Sequence, residues 1–288
     1  LFILVFNYTP MFGIIISFKE YKITGGLKGM FTSPWVGLKY FKEFFTDYNS
    51  MAIIRNTIVM SVVKLIFTFP LPIILALLLN EIHSYGFKRV VQTVSYLPYF
   101  ISWVIVAGFC QIFLQANGVI NTFLMTLGLT SDNIAFYTSP RYFLPMVVFT
   151  SIWKDMGWWA ILFLASITSI DPTLYEAASI DGVGRLKRIW FITLPSIQGT
   201  ITIVLILALG NLLGGGLSGS NFEQAWLLGT PGNGEVSEIL QTYVMKMGLS
   251  KGRYSYAAAM GLIQSVVSLV LVLVSNFVSK KATGEGLF

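Results

Sequence analysis

Long apolar runs alternate with short polar stretches along the whole chain, and the runs are of membrane length. A spanning helix needs about 20 mostly apolar residues. Six segments meet that need: 1–18, 51–79, 92–115, 142–166, 198–218 and 255–279. The pattern predicts an all-α, polytopic membrane protein of six transmembrane helices, with 1–288 forming one transmembrane domain. Transmembrane barrels would instead show alternating segments of roughly ten residues, and none is visible. The first run opens at Leu1 with no basic stretch or small-residue cleavage site, so the expectation is an incomplete N-terminus rather than a signal peptide.

Five connections join the runs. Residues 19–50 are polar, with Gly25-Gly26 and Ser33-Pro34 as turn signals. Residues 80–91 form a short polar link. Residues 116–141 hold an apolar piece, Val119 to Leu129, too short to span and expected at the interface. Residues 219–254 read as a loop rich in Gly and polar groups. The remaining connection, 167–197, is different in kind. Asp171-Pro172 reads as a helix start, with Asp as N-cap and Pro at the first helical position. Two to three turns follow, and Gly182 suits a left-handed stop. Leu174, Ala177, Ala178 and Asp181 share one face by i, i+3, i+4 spacing. The alanines keep that face thin, and Glu176 lies off it. Arg185 to Phe191 mixes basic and apolar residues, as an interfacial segment does near anionic lipid. Leu194-Pro195 then turns the chain into the next span. The insert reads as a docking element.

Composition narrows the picture. Of 288 residues, 55% are hydrophobic and only 11% charged, against about 25% charged in soluble domains. The net charge of +6 reads as charge at membrane boundaries and not as a nucleic-acid surface. Basic residues are denser in the short connections 80–91 and 167–197 and in the tail, which places that face in the cytoplasm. The single cysteine, Cys110, and single histidine, His83, are far apart, so neither a disulfide framework nor a metal site is expected. No Gly-x4-Gly-Lys-Ser/Thr pattern occurs, so no ATP hydrolysis is expected of this chain. No nucleophile–His–acid set is plausible with one loop histidine, and no catalytic residue is assigned.

Ionisable residues inside spans are costly, at ~2.5–3.5 kcal/mol each on insertion scales. Lys64 lies in the second span; Lys154 and Asp155 lie in the fourth. The latter two read either as a structural ion pair or as the lining of a polar path. Trp153, Trp158 and Trp159 beside them suit an interfacial belt or stacking on sugar rings. Asn211 and Gln264 read as helix bridges or as partners for sugar hydroxyls. Gly210 with Gly214, and Ala257 with Gly261, have the spacing of packing seams. Gly214-Gly215-Gly216 suggests a hinge.

The run Glu176-Ala177-Ala178, Asp181-Gly182, Ile192, Leu194 and Pro195 resembles the EAA loop of ATP-binding-cassette importer permeases. Val183 stands where that family usually has alanine. Ser33 to Leu38, Ala76 to Glu81, Tyr96 to Trp103 and Gly284 to Phe288 resemble the complex-oligosaccharide branch, so the resemblance covers nearly the whole chain. It implies a bacterial plasma-membrane permease subunit working by alternating access. It also implies a cytoplasmic coupling helix, Thr173 to Asp181, between spans four and five, docked in an ATPase groove. Glu176 would then face a basic residue there, and Gly182 would permit close approach. The implied partners are a second, homologous permease, two ATPase subunits that hold ATP and Mg, an extracytoplasmic sugar-binding protein and membrane lipid. An ion-coupled secondary transporter and a non-transporting scaffold are the rival readings; Asp155 is thin support for the first, which needs ion-coupling groups near the midplane.

Overall fold

The computed structural model describes residues 1–284 together with Gly286 and Leu287. Among these residues the chain is helical apart from turns and one isolated bridge between Lys19 and Trp35. Glu285 and Phe288, which belong to the closing stretch singled out above, lie outside the described residues.

Four stretches are long and apolar enough to cross a membrane: Ser50–Glu81, Trp103–Thr126, Pro140–Thr168 and Tyr254–Lys281. A fifth arises if the pair Arg185–Ser196 and Gln198–Gly210, bent by 64°, counts as one span. The N-terminal run is a shorter apolar helix, Leu4–Phe18. We label α1 Leu4–Phe18, α2 Lys39–Thr46, α3 Ser50–Glu81, α4 Tyr85–Tyr96, α5 Trp103–Leu114, α6 Val119–Thr126, α7 Pro140–Thr168, α8 Pro172–Ile180, α9 Arg185–Ser196, α10 Gln198–Gly210, α11 Asn221–Leu228, α12 Leu240–Met245 and α13 Tyr254–Thr283.

Besides the short N-terminal helix, the structure departs from the expected pattern in three further places. The run 92–115 is not one helix. It breaks at Leu97–Phe100, a tight turn holding Pro98, and restarts at Trp103 with the Ser102 hydroxyl accepting from the Ile105 N–H. Proline supplies no amide hydrogen, so the ladder is interrupted there. The run 198–218 is also shorter than expected, because α10 ends at Gly210. Before it, α9 widens into a π turn over Ile189–Thr193, just ahead of Pro195, and the bend follows at Ile197. A widened turn is a common way to place a proline inside a helix. The third departure is the segment 219–254. It is not a surface loop: it forms α11, the turn Gly234–Ser237 and α12, all with buried faces. Backbone groups surrounded by apolar spans must be satisfied internally, and helical turns do that.

Three apolar clusters organise the packing. One gathers Met60, Phe143, Val147 and Leu228 from α3, α7 and α11. A second joins Phe44, Ile53, Tyr243 and Tyr256 from α2, α3, α12 and α13. The third, toward Glu81 and Thr168, joins Leu79, Phe163, Ile167 and Ile197. Helices approach closely at two glycines. A Cβ on Gly157 would lie 2.0 Å from the Ser95 carbonyl oxygen, so α7 meets α4 backbone to backbone. A Cβ on Gly210 would lie 2.4 Å from a Val272 methyl, which makes the expected seam with α13. Gly214 has a different neighbour, the Asn211 side chain, and Gly261 faces open space.

Candidate functional site

Two polar regions stand out from this apolar frame. The first is buried at mid-length of the spans. On α3, Thr57, Ser61, Lys64 and Thr68 recur at i, i+4, i+7, i+11 and are all buried, which is one helical stripe. On α11, Asn221, Gln224, Ala225 and Leu228 are the buried face, again at helical spacing. The two stripes meet at Lys64, which is fully buried. Its ammonium donates to Gln224 Oε1 at 2.6 Å, Asn221 Oδ1 at 2.9 Å and Ser220 Oγ at 3.2 Å. An ammonium has three donors, and here there are three oxygens. Asn221 Nδ2 donates on to Ser61 Oγ at 2.8 Å. Gln224 Nε2 faces the Val147 carbonyl and the hydroxyls of Thr150 and Ser151 on α7 at 3.0–3.1 Å. Lys64 and Gln224 together therefore pin α11 to two spans, α3 and α7.

Lys154 and Asp155 occupy the neighbouring turn of α7, and both are buried. Lys154 donates to the Tyr99 carbonyl at 2.6 Å, in the broken stretch after α4. Its ammonium also lies over the Tyr99 and Trp103 rings, at 4.9 and 5.5 Å from their centroids, distances at which a cation is attracted by an aromatic face. Trp158 stacks on Tyr99 at 4.3 Å, and Phe100 meets Trp158 edge-on. Asp155 Oδ2 is buried without a hydrogen-bond partner. Lys154 has one oxygen partner where Lys64 has three, so of the two lysines it retains the free donor capacity. Trp153 points elsewhere, into an apolar groove with Phe109, Phe113 and Phe149. Trp159 packs into the cluster of Leu79 and Phe163. Asn211 Nδ2 donates to the Gly216 carbonyl and closes the turn beyond α10, where Gly215 and Gly216 have positive φ. Gln264 is half-buried on α13.

The second region is exposed and lies between α7 and α10. Asp171 Oδ1 accepts from the Thr173 N–H at 2.9 Å, capping α8. That bond holds the Asp171 carboxyl below its ordinary value, because it favours the charged form. At the other end Gly182 has φ +70°, and the Val183 N–H reaches the Ala178 carbonyl at 2.9 Å, the left-handed stop expected there. Leu174, Ala177, Ala178 and Asp181 line one groove, together with Lys187 and Phe191 from α9. Glu176 is exposed. The Tyr175 hydroxyl meets Thr193 Oγ1 at 2.9 Å and Arg188 donates to Ser179 Oγ at 3.1 Å. These bonds fix α8 to α9. Leu194 is half-buried and Pro195 exposed.

Reasoning from sequence placed Lys64 in a span but missed its partners Ser220, Asn221 and Gln224. The signal was available: four polar residues at helical spacing on α3 require a polar partner, and Asn221 with Gln224 supply one at matching spacing.

Comparison with known proteins gives a consistent result. Residues 68–284 match the family described as binding-protein-dependent transport system inner membrane component. The protein LplB of Bacillus subtilis strain 168 is 44% identical over 100% of this chain and 88% of its own length. The polygalacturonan/rhamnogalacturonan transport system permease protein YteP of the same organism is 42% identical, over 100% of this chain and 87% of its own length. Among solved structures, a chain of a bacterial ABC transporter involved in import of the acidic polysaccharide alginate superposes with a TM-score of 0.88 at 40% identity. The match covers 98% of this chain and 92% of that one. A related structure, of a bacterial alginate ABC transporter in complex with a pentasaccharide-bound periplasmic protein, has a TM-score of 0.88 at 38% identity.

Proposed function

This chain belongs to the family of inner membrane components of binding-protein-dependent transport systems, and we propose that it imports oligosaccharides containing acidic sugars. It is a membrane-spanning permease subunit of an ABC importer, resident in the inner membrane, and a transport component with no catalysis of its own. The comparisons lend no support to an ion-coupled transporter. The acidic substrate class is supported by the names of two relatives, one handling polygalacturonan and one alginate. It is also supported by the chemistry of Lys154, a buried cation with donors to spare beside the stacked Tyr99 and Trp158.

The observation that carries the mechanism is helix α8, capped at both ends, tied to α9 and thin on its groove face. We infer that it seats in a groove of a separate ATPase subunit, with Glu176 toward a basic residue there. In this reading two such ATPases hold ATP and Mg, a second homologous permease completes the path, and an extracytoplasmic sugar-binding protein delivers the substrate. Closure of the ATPase pair would move α8. Because α8 is tied to α9 by Tyr175–Thr193 and Arg188–Ser179, the movement would reach α7 and the α9–α10 pair together and alternate the access of the cavity.

Two experiments test this reading. Ala177→Cys in a Cys110→Ser background should crosslink to an ATPase subunit in membranes, and a crosslink formed only with extracytoplasmic proteins would overturn the assignment. ATP-dependent uptake by the reconstituted importer should favour trigalacturonate over maltotriose, and the reverse preference would reject the acidic class.

A further inference from the structure

The face of α11 turned away from Lys64 remains unexplained by the lock that the opposite face makes. Phe222 and Trp226, one helical turn apart, lie on it. The Trp226 side chain is 44% exposed, and its indole is stacked on Phe222 at 5.8 Å and 23°. Trp226 borders a cavity of about 360 Å³ whose wall includes Thr230, Ser237, Glu238, Thr242 and Lys246. Glu238 and Lys246 are paired at 2.7 Å, a contact that engages one carboxylate oxygen and one of three ammonium donors.

The wall is built rather than draped. Asn233 is fully buried; its amide donates to the Tyr137 and Leu228 carbonyls and its Oδ1 accepts from the Thr230 N–H at 2.7 Å. A Cβ at Gly229 would lie 2.4 Å from the Ala225 carbonyl oxygen, and one at Gly232 would lie 2.7 Å from the Thr138 carbonyl oxygen. The loop is therefore packed directly against backbone, and a ligand would meet a surface already ordered.

We propose that this cavity is a carbohydrate subsite, in which one pyranose ring stacks on Trp226 while its polar edge meets Glu238 and Lys246. The proposal rests on the oligosaccharide-import reading above. The cavity falls in the size range of small-ligand pockets, about 300–1,000 Å³, and has their make-up of an aromatic surface with a few convergent polar groups. A lipid tail does not suit a wall that carries two charges. A sugar ring does, because it has an apolar C–H face for the indole and hydroxyls at its rim. Glu238 can accept from vicinal hydroxyls, and Lys246 can donate to a hydroxyl or to a uronate carboxylate. Trp226 lies on the exposed side of α11, away from the Lys64 lock, so a sugar stacked on it would sit against the element that the lock restrains.

The test uses the complete importer in nanodiscs and a diazirine derivative of trigalacturonate, with adducts mapped by mass spectrometry. Adducts competed by unlabelled trigalacturonate are expected within residues 222–246. They should fall about fivefold or more in Trp226→Ala and be largely retained in Trp226→Phe, as loss of a stacked aromatic contact implies. Sugar-independent ATP turnover should stay unchanged in both variants, which shows that they assemble. Absence of competed adducts in 222–246, or equal labelling in Trp226→Ala, would overturn the subsite. The import reading has its own readout, ATP-dependent uptake by the unsubstituted importer. Uptake without adducts rejects the subsite alone; competed adducts without uptake leave the subsite standing and reject import.

Discussion

The seam around Lys64 and the insert around α8 are both polar regions in an apolar protein, yet they are built in opposite ways. At the seam every strong donor of Lys64 ends on an oxygen of the same chain, and nothing reaches solvent. At the insert the internal hydrogen bonds shape and anchor a helix, while Leu174, Glu176, Ala177 and Asp181 stay exposed. A saturated polar site holds the fold together. An unsaturated one, rigidly presented, is available to another molecule. The contrast also separates the two buried lysines, since Lys154 shares its charge with aromatic faces and one carbonyl.

The sharpest way to break the contrast is to change charge at each site. Glu176→Lys should leave membrane insertion and thermal stability unchanged and lower ATP-dependent uptake by about a hundredfold or more, the loss expected of a charged interface contact reversed in sign. Copurification with the ATPase should fall in parallel, and normal uptake would remove the docking role. Lys64→Met should do the reverse. It strands Asn221 Oδ1, at about 1–3 kcal/mol, and leaves Gln224 Oε1 to the Ser151 and Ser220 hydroxyls, so the melting temperature in detergent should drop well before any specific effect on ATPase docking is seen.

Gly157→Ala tests the frame between the two regions. The new methyl would meet the Ser95 carbonyl 2.0 Å away, and overpacking of this kind costs about 1–3 kcal/mol; thermal unfolding followed by size exclusion would read it. The smallest effect belongs to the cap of α8. The Asp171 carboxyl titrates lower in the folded chain than in the unfolded one because it accepts the Thr173 N–H. Its stabilisation is thus present above the ordinary carboxylate value and is lost as pH falls through the depressed folded value. Amide exchange at Thr173 should speed up on acidification relative to Asp171→Asn, which keeps an N-cap acceptor that does not titrate.

How much of this was legible in the sequence differs by region. The cap at Asp171 and the stop at Gly182 are local devices, and local sequence specified them. The long spans α3, α7 and α13 were legible from length and hydropathy alone. The bend at Ile197 was legible to within a turn, since Leu194-Pro195 reads as the point where the chain turns into the next span; the break at Pro98 was not, because proline allows either a kink or a break and tertiary packing decides between them. The segment 219–254 was misjudged for a related reason. Its glycines and polar residues look like a solvent loop until Asn221 and Gln224 are matched with the stripe on α3, which is a pairing across about 160 residues. Asn211 and Trp153 show the limit of composition: one closes a turn and the other lines an apolar groove, and nothing near them in sequence says so.

On the proposed docking of α8, the elbow at Ile197 would set the geometry of transmission. A straight rod pushed from its end moves along its own axis, and a membrane helix has little room to do that. A rod bent by 64° converts the same push into a sideways swing of its upper arm. With α8 docked as proposed, the bend just past Pro195 would make this arm a crank rather than a piston.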